Sequence, residues 1–529
     1  MGPESSESLY ASESLYERVL AAAAGAPIAP LRPPRASAAV VPWRRRDGVL
    51  EVFWVRRSEQ VPFMPGWHAF PGGTLARGDA ALPVTGLPAG LDGDSAIPAG
   101  SRVEGEEVPP DLVPGLLGGA LRELYEETGL LLVAGDTPPL PAAAATDAAA
   151  FAAALRDGGV TLDARPLVYA GRWLTPPFAP LRFDNRFFLL EWPADRPRQP
   201  RVVPGELAEG EWVTPAAALA RWRSGDALAA PPILHLLRVL AEVGPESGLP
   251  RLREPVEADL GPFRRIEFRP GVVKVPLRTP TLPPATHTNA YLLGTGPAVL
   301  VDPGSPWPEE QRKLLGAVAA ARSQGRPVEA IWLTHHHPDH VGGVAAAARE
   351  LGVPVEAHAE TARLLARRGI AVDRHLGDGD VRRLGELTVR VLHTPGHAPG
   401  HLAFLVEGDG ALLCGDLASA LSTIVVDPPQ GRMADYLASL ARCRELAPRF
   451  LFPAHGPVLR PGAEVLARLL EHRHEREERI AAAWQAGRRT PPELVAAAYD
   501  DLDPALVPVA ERQVEAHLGH LRERGALDG

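Results

Sequence analysis

The sequence predicts a multidomain protein of mixed α/β and α+β class. Three observations carry this. Residues 36–243 and 263–460 each alternate short apolar, β-branched runs with helical text, the signature of strands layered with helices. Between them, Gly244-Pro245-Glu246-Ser247-Gly248 to Gly261-Pro262 has linker composition, so 244–262 is read as a linker. After Pro461 the text turns helical, and 461–529 reads as a separate C-terminal unit. A length of 529 residues and an apolar fraction of 45% allow several buried cores.

Residues 1–35 read as a flexible tail with one short helix, in which Ser6-Glu7-Ser8-Leu9-Tyr10 recurs as Ser12-Glu13-Ser14-Leu15-Tyr16. Val40-Val41 and Val49 to Val55 read as strands. A Gly-, Pro- and Asp-rich stretch at about 80–115 reads as a loop insertion, and a helix follows from Leu116 to Glu127. In the second half Tyr291–Leu293, Ala298–Val301, Ile331–Leu333 and Ala411–Leu413 read as strands. Farther on, Glu471-His472-Arg473-His474 reads as a solvated His-rich loop, and Val514, Leu518 and Leu521 recur at helical spacing.

A net charge of −10 argues against a general nucleic-acid or membrane-surface binder. Cys414 and Cys443 cannot form a disulfide framework, and the N-terminus lacks a basic stretch followed by an apolar run. Both features predict a cytoplasmic protein. No charge-free apolar run of about 18 residues predicts a membrane span.

Two stretches carry chemistry. In Arg122-Glu123-Leu124-Tyr125-Glu126-Glu127-Thr128-Gly129, a helix puts Glu123, Glu126 and Glu127 on one face. Three like charges there disfavour a helix unless a cation neutralises them, and carboxylates suit Mg²⁺ or Mn²⁺. Gly129 is a natural C-cap. Taken alone, such a face is more often simply solvated.

The second stretch is Thr334-His335-His336-His337-Pro338-Asp339-His340. Four imidazoles and a carboxylate fall within His335 to His340, and both are ligand types for zinc-like cations. Farther on stand His397 in Thr394-Pro395-Gly396-His397, Asp416 in Cys414-Gly415-Asp416 and His455 in Pro453-Ala454-His455-Gly456. Each follows an apolar run beside Gly or Pro, which places it on a loop at a strand end, where ligands from separate strands converge.

The acidic stretch resembles the core of the Nudix box, with Phe70-Pro71-Gly72-Gly73 resembling its entry and Asp79 its expected acid. In an uninterrupted box the arginine would stand at position 87, so about 35 residues are inserted (122 − 87). A split box resembles the branch that includes peroxisomal coenzyme A diphosphatases. Arg57-Ser58, Phe63-Met64-Pro65-Gly66, Trp173-Leu174-Thr175-Pro176 and Arg182-Phe183-Asp184-Asn185-Arg186-Phe187-Phe188 extend the likeness. The resemblance implies an α/β/α sandwich over 36–243 that hydrolyses a nucleoside-diphosphate-linked substrate. Glu123, Glu126 and Glu127 would hold Mg²⁺ or Mn²⁺, Arg122 would orient them, and Gly72 and Gly73 would meet the substrate. Glu206 and Glu209 are candidates for an additional acid.

The histidine set resembles the metallo-β-lactamase superfamily and its H-x-H-x-D-H motif. This implies an αβ/βα sandwich over 263–460 with two Zn²⁺ or other divalent ions. His335, His337 and His397 would hold one, Asp339, His340 and His455 the other, with Asp416 bridging. His336, His393 and His401 fall outside the pattern, and Asp302 matches a recurrent acid behind the ligands. A bridging Asp416 resembles glyoxalase II and the phosphodiesterase-type nucleases. The text His287-Thr288-Asn289-Ala290-Tyr291-Leu292, Thr423-Ile424-Val425-Val426-Asp427-Pro428-Pro429 and Pro453 to Val458 resembles the β-lactamase-like endoribonuclease group. In that group the C-terminal helices form a winged-helix-like unit. Here 461–529 holds 9 Lys+Arg and 13 Asp+Glu, a balance of −4 (9 − 13), which favours a packing or lid role over a nucleic-acid reader, although Arg488-Arg489 remain for a phosphate.

The sequence therefore predicts two metal-dependent hydrolases in one chain, acting on a small nucleotide or (thio)ester of coenzyme A type. RNA processing and nucleotide sensing by one domain are the alternatives. Oligomeric state is left open.

Overall fold

The computed structural model describes residues 33–61, 64–91, 110–135, 140–141, 144, 147–175, 181–203, 205–253, 266–500, 502 and 506–527. They divide into two compact units, 33–253 and 266–527. The expected N-terminal tail lies outside the described residues, apart from its last three positions.

The first unit runs β1 (Arg35–Arg46), β2 (Val49–Arg57), β3 (His68–Ala69), β4 (Gly72–Thr74), β5 (Val84–Thr85), α1 (Leu112–Thr128), α2 (Ala148–Asp157), β6 (Leu162–Asp163), β7 (Leu167–Leu174), β8 (Phe183–Glu191), β9 (Leu207–Val213), α3 (Pro215–Ser224) and α4 (Pro231–Arg253). Its main sheet has the order β3-β2-β1-β8-β7, with β4 added to β1 and β9 to β2. Alternation along β1 sends Ala38 and Val40 to one face, against α1 and α2. Ala39 and Val41 go to the other, against α3 and α4. Helices thus cover both faces.

Helix α1 begins one turn before the expected Leu116 and ends at Gly129, whose left-handed φ of 70° closes the last turn. Leu116, Leu117, Ala120, Leu121 and Leu124 face the sheet, leaving the glutamates on the rim. The insertion is structured where it is described: Asp79–Ala81 is a 3-10 turn, and β5 pairs in parallel with β6. Residues 92–109 lie outside the described set.

The expected linker is corrected. Residues 244–253 are helix, not linker, because α4 continues through a break at Gly244. Pro245 stands at the restart, where its missing N–H costs no helical bond. Leu249 and Leu252 then return to the core, which linker-like composition concealed. Residues 254–262 lie outside the described set.

The second unit runs β10 (Ile266–Arg269), β11 (Val272–Arg278), β12 (His287–Leu293), β13 (Ala298–Val301), α5 (Pro308–Ser323), β14 (Val328–Trp332), α6 (Pro338–Val341), α7 (Val344–Leu351), β15 (Val355–Ala357), α8 (Ala359–Ala366), β16 (Arg374–His375), β17 (Val381–Leu384), β18 (Leu387–His393), β19 (Leu402–Val406), β20 (Ala411–Gly415), α9 (Met433–Glu445), β21 (Phe450–Pro453), α10 (Gly462–Gln485), α11 (Pro491–Ala498) and α12 (Val507–Glu523). One sheet has the order β10 to β16 and the other β17 to β21. Their inner faces meet through Trp332 with Phe404 and Tyr291 with Phe452, ring centroids 5.0 and 6.1 Å apart. Helices α5 and α7 cover the first sheet outside, and α9 and α10 the second, giving the αβ/βα sandwich.

Helices α10, α11 and α12 form the winged-helix-like unit around Ile480, Leu494, Val514, Leu518 and Leu521. Glu471–His474 is corrected from loop to helix interior. Leu466, Leu470, Arg473, Glu477 and Ile480 are the buried stripe of α10, and two polar members hid its period. Among the described residues, no helix is long and apolar enough to cross a membrane.

Candidate metal centre and acidic site

The two sheets of the second unit deliver the histidine set to one end of the sandwich. β14 feeds the turn that carries His335 and His337, and α6 carries Asp339 and His340 in its single turn. His397 sits between β18 and β19, Asp416 directly follows β20, and His455 follows β21. Separated by up to 120 positions in sequence (455 − 335), these side chains form three overlapping buried groups: His335, His337 and His397; His335, His340 and Asp416; Asp339, His340 and His455. Ligand atoms within each group lie within 4.8 Å of one another.

A divalent ion fits here. Asp339 Oδ1 and Oδ2, Asp416 Oδ1, His340 Nε2 and His455 Nε2 are buried and make no hydrogen bond within the protein. Leaving such groups without partners is costly, and imidazole with carboxylate is the donor set of zinc or iron. Distances of 3.4 Å from His397 Nε2 to Asp416 and 3.5 Å from His455 Nε2 to both Asp339 and Asp416 leave room for an ion between them. Burial, then the neighbouring imidazoles, push His335 and His337 well below the usual histidine range, so both are neutral donors.

The atoms behind the cluster fix its orientation. His340 Nδ1 donates to Asp302 at 2.9 Å, His455 Nδ1 to His287 O at 3.0 Å, and His397 Nδ1 to Val425 O at 2.6 Å. Each bond engages Nδ1 and leaves Nε2 as the nitrogen that faces the cluster. Asp302 adopts a left-handed φ of 47° while accepting from Thr334 N at 2.8 Å and Thr334 Oγ1 at 2.6 Å. Of the histidines outside the motif, His401 accepts from Asp416 N at 3.0 Å, His336 pairs with Gln430 at 2.8 Å, and His393 stacks on His358 with centroids 4.1 Å apart.

Sequence reasoning missed three contributors: the Val425 carbonyl, Thr334 and Lys274. The first acts through backbone and Thr334 through a common side chain. Lys274 is fully buried, donates to Gly456 O at 3.3 Å, and is pushed down by burial to about 7. A lone lysine within apolar strand text was its only signal.

In the first unit, Arg122 is the hub. Its guanidinium makes a two-pronged contact with Asp79, at 2.8 and 3.0 Å, and bonds Glu123 at 3.0 Å and Glu126 at 2.7 Å. Glu127 accepts from Gly72 N at 2.8 Å. Gly72 packs so tightly on β1 that a Cβ would strike the Ala38 carbonyl, and a Cβ on Gly73 would strike the Glu123 carboxylate. Gly72 therefore requires glycine, whereas a side chain at Gly73 would displace the Glu123 carboxylate. Burial pushes Glu123 up to about 7, with Arg122 opposing and Glu126 and Glu206 adding to the rise. Burial and Glu123 raise Glu127 well above the carboxylate range. Glu209 instead faces Arg56 at 2.6 Å on the surface, whereas Glu206 lies 3.8 Å from Arg57 and is felt by Glu123 and Glu127.

Comparison with known proteins bears on the second unit. Residues 283–455 match the metallo-beta-lactamase superfamily, and residues 490–527 match the beta-lactamase associated winged helix domain. The lactamase-like protein vrtG of Penicillium aethiopicum is 30% identical over 278 residues, covering 51% of this chain and 81% of that protein. The atrochrysone carboxyl ACP thioesterase of Aspergillus fumigatus is 29% identical over 197 residues, covering 36% of this chain and 43% of that protein. A solved NUDIX hydrolase from Alicyclobacillus acidocaldarius is 30% identical, with 42% of this chain and 97% of that one covered and a TM-score of 0.36. With a relative 30% identical across four fifths of its length, and its own donor cluster inside the matched segment, the chain belongs to the metallo-β-lactamase superfamily of metal-dependent hydrolases.

Proposed function

We propose that the chain is a bifunctional hydrolase whose second unit cuts an ester, thioester or phosphodiester. The observation that carries this is the convergence, at one end of the sandwich, of buried carboxylate and imidazole atoms that make no hydrogen bond within the protein. In this reading His335, His337 and His397 would hold one divalent ion and Asp339, His340 and His455 the other, with Asp416 serving both. When bound, such a pair lowers the pKa of a water and polarises the scissile group. The chain contributes rigidity: Asp302, His287 O and Val425 O lock three imidazoles with Nε2 presented. The name of the ACP thioesterase relative favours a thioester.

The first unit is assigned the cleavage of a nucleoside-diphosphate-linked substrate of coenzyme A type. The hub of Arg122 with Asp79, Glu123 and Glu126 supports it, as do the glycines that make room for Glu123 and bond Glu127. Mg²⁺ or Mn²⁺ held by Glu123, Glu126 and Glu127 would offset the burial that raises all three carboxyls above their usual range. Glu206 is favoured over Glu209 as the additional acid, because Glu209 is engaged by Arg56. A small molecule is favoured over nucleic acid, given the acidic C-terminal unit.

A hydrolysis screen of the full chain with Mg²⁺ and Zn²⁺ tests both halves. Coenzyme A, acyl-coenzyme A and single-stranded RNA are offered to wild type, Glu127→Ala and Asp416→Ala. Pyrophosphate cleavage lost only in Glu127→Ala, and thioester cleavage lost only in Asp416→Ala, are expected. RNA cleavage lost in Asp416→Ala, with thioester untouched, overturns the thioester assignment.

A further inference from the structure

The loop Ile424–Pro429 touches both the metal centre and the C-terminal helices. On one side, Val425 O takes the Nδ1 proton of His397, a ligand of the proposed centre. On the other, three side chains from α10 and α12 grip the same loop. Gln513 Nε2 donates to Ile424 O at 2.9 Å, and the Arg473 guanidinium donates to the same oxygen. Arg512 Nε donates to Asp427 Oδ1 at 2.6 Å, and its Nη2 to Pro428 O. Arg473 and Gln513 are 2% and 5% exposed, so these bonds form away from water.

A second route reaches the same ligand. The Arg473 guanidinium lies 5.1 Å from the centre of the Tyr436 ring. The Tyr436 backbone packs so closely on Gly396, the residue before His397, that any side chain at Gly396 would collide with it. Tyr436 Oη in turn donates to Leu417 O at 2.8 Å, one residue after Asp416. Arg473 therefore stands behind both His397 and Asp416.

We infer that Arg473, Gln513 and Arg512 are positioning residues for the metal centre, and that the winged-helix-like unit acts as a brace that sets the His397 imidazole through the Ile424–Pro429 loop. The inference rests on the metal-centre reading of the second unit. It also gives the unit a task other than binding nucleic acid: two of its nine Lys+Arg residues are turned to the loop. A carbonyl held by two charge-assisted or amide donors cannot rotate freely, so the neighbouring Val425 carbonyl stays aimed at Nδ1. Removing such a support acts at one remove from the ligand, and groups behind a metal ligand are worth roughly 10–100-fold in affinity.

The test uses the full chain and measures Zn²⁺ affinity by competition with a chromogenic chelator, with the visible spectrum of the Co²⁺-loaded protein as a second readout. The variants are Arg473→Met, Arg473→Lys, Gln513→Leu and Arg512→Met. Arg479→Met is the control: Arg479 pairs with Asp500 and Ala498 O within the helical unit, remote from the loop. Zn²⁺ affinity about 10-fold weaker in Arg473→Met and Gln513→Leu, with an altered Co²⁺ spectrum and partial rescue by Arg473→Lys, is the expected result. Arg479→Met should lower the melting temperature and leave affinity intact. If Arg473→Met does not fold, Gln513→Leu and Arg512→Met carry the comparison. Unchanged affinity in the loop-contacting variants, or an equal loss in Arg479→Met, overturns the brace alone. A wild type that binds no Zn²⁺ or Co²⁺ overturns the metal-centre reading and the brace with it.

Discussion

The two sites face the same electrostatic problem and answer it differently. In the first unit, acids crowd the rim of α1, and the protein itself supplies the counter-charge: Arg122 touches Asp79, Glu123 and Glu126 at once. In the second unit, Asp339 and Asp416 are buried among imidazoles, and Asp339 Oδ1 and Oδ2, Asp416 Oδ1, His340 Nε2 and His455 Nε2 make no hydrogen bond within the protein. The first site is largely satisfied by the protein's own guanidinium. The second is incomplete without a metal. The difference teaches that a site's need for a cation is read from which polar atoms lack partners, and not from the number of acids it collects.

The largest expected effect tests the internal counter-charge. Asp79→Ala leaves Arg122 buried without its two-pronged partner, and breaking a buried pair from one side costs about 3–5 kcal/mol. Urea unfolding followed by Trp fluorescence should show the first unit destabilised by that order, with the second unit's transition in place. A loss under about 1 kcal/mol would mean that Glu123 and Glu126 suffice to hold Arg122.

Metal removal sharpens the contrast from the other side. At free metal about 100 times its dissociation constant, binding stabilises by about 2.7 kcal/mol, or about 5–10 °C for a unit of this size. Calorimetry with and without chelator should move the second unit's transition by that much and the first unit's by less. Equal shifts would mean that the two sites depend on metal alike.

The smallest effect is a pH slope of opposite sign in the two units. Glu123 is raised to about 7 in the folded first unit, above its unfolded value near 4.5, so the folded state binds the extra proton between those values. Its stabilising contribution is complete below about 4.5 and is lost as pH rises to about 7. In the C-terminal helices, burial holds His517 down to about 4, against an unfolded value of 6.5. That contribution is complete above 6.5 and is lost as pH falls towards about 4. Glu477, held down to about 2 by His517 and His520 against the opposing effect of burial, extends the loss to lower pH. Melting temperatures across pH 4.5–6.5 should diverge, with Glu123→Gln flattening one slope and His517→Leu the other. Parallel slopes in wild type would contradict this assignment.

The most legible parts of both sites are those whose chemistry is local in sequence. Glu123, Glu126 and Glu127 share a helical face by spacing alone, and His335 to His340 sit on one turn and its following helix. The strands at Ala298–Val301 and Ala411–Leu413 were visible as apolar runs between turn residues. Errors came where packing overrode composition. Residues 244–253 look like linker but are helix because Leu249 and Leu252 reach the core, and Glu471–His474 look solvated although Arg473 is buried.

By itself the sequence determined the layered fold class, the ligand types and their attachment to strand ends, since those follow from periodicity and donor chemistry carried by each residue. Only the tertiary structure decided which atoms meet. The Val425 carbonyl on His397, Asp302 behind His340, and Arg473 behind the loop are contacts across 28, 38 and 49 positions. Backbone carbonyls carry no residue signature, and the direction of a buried side chain is settled by the packing of elements distant in the chain.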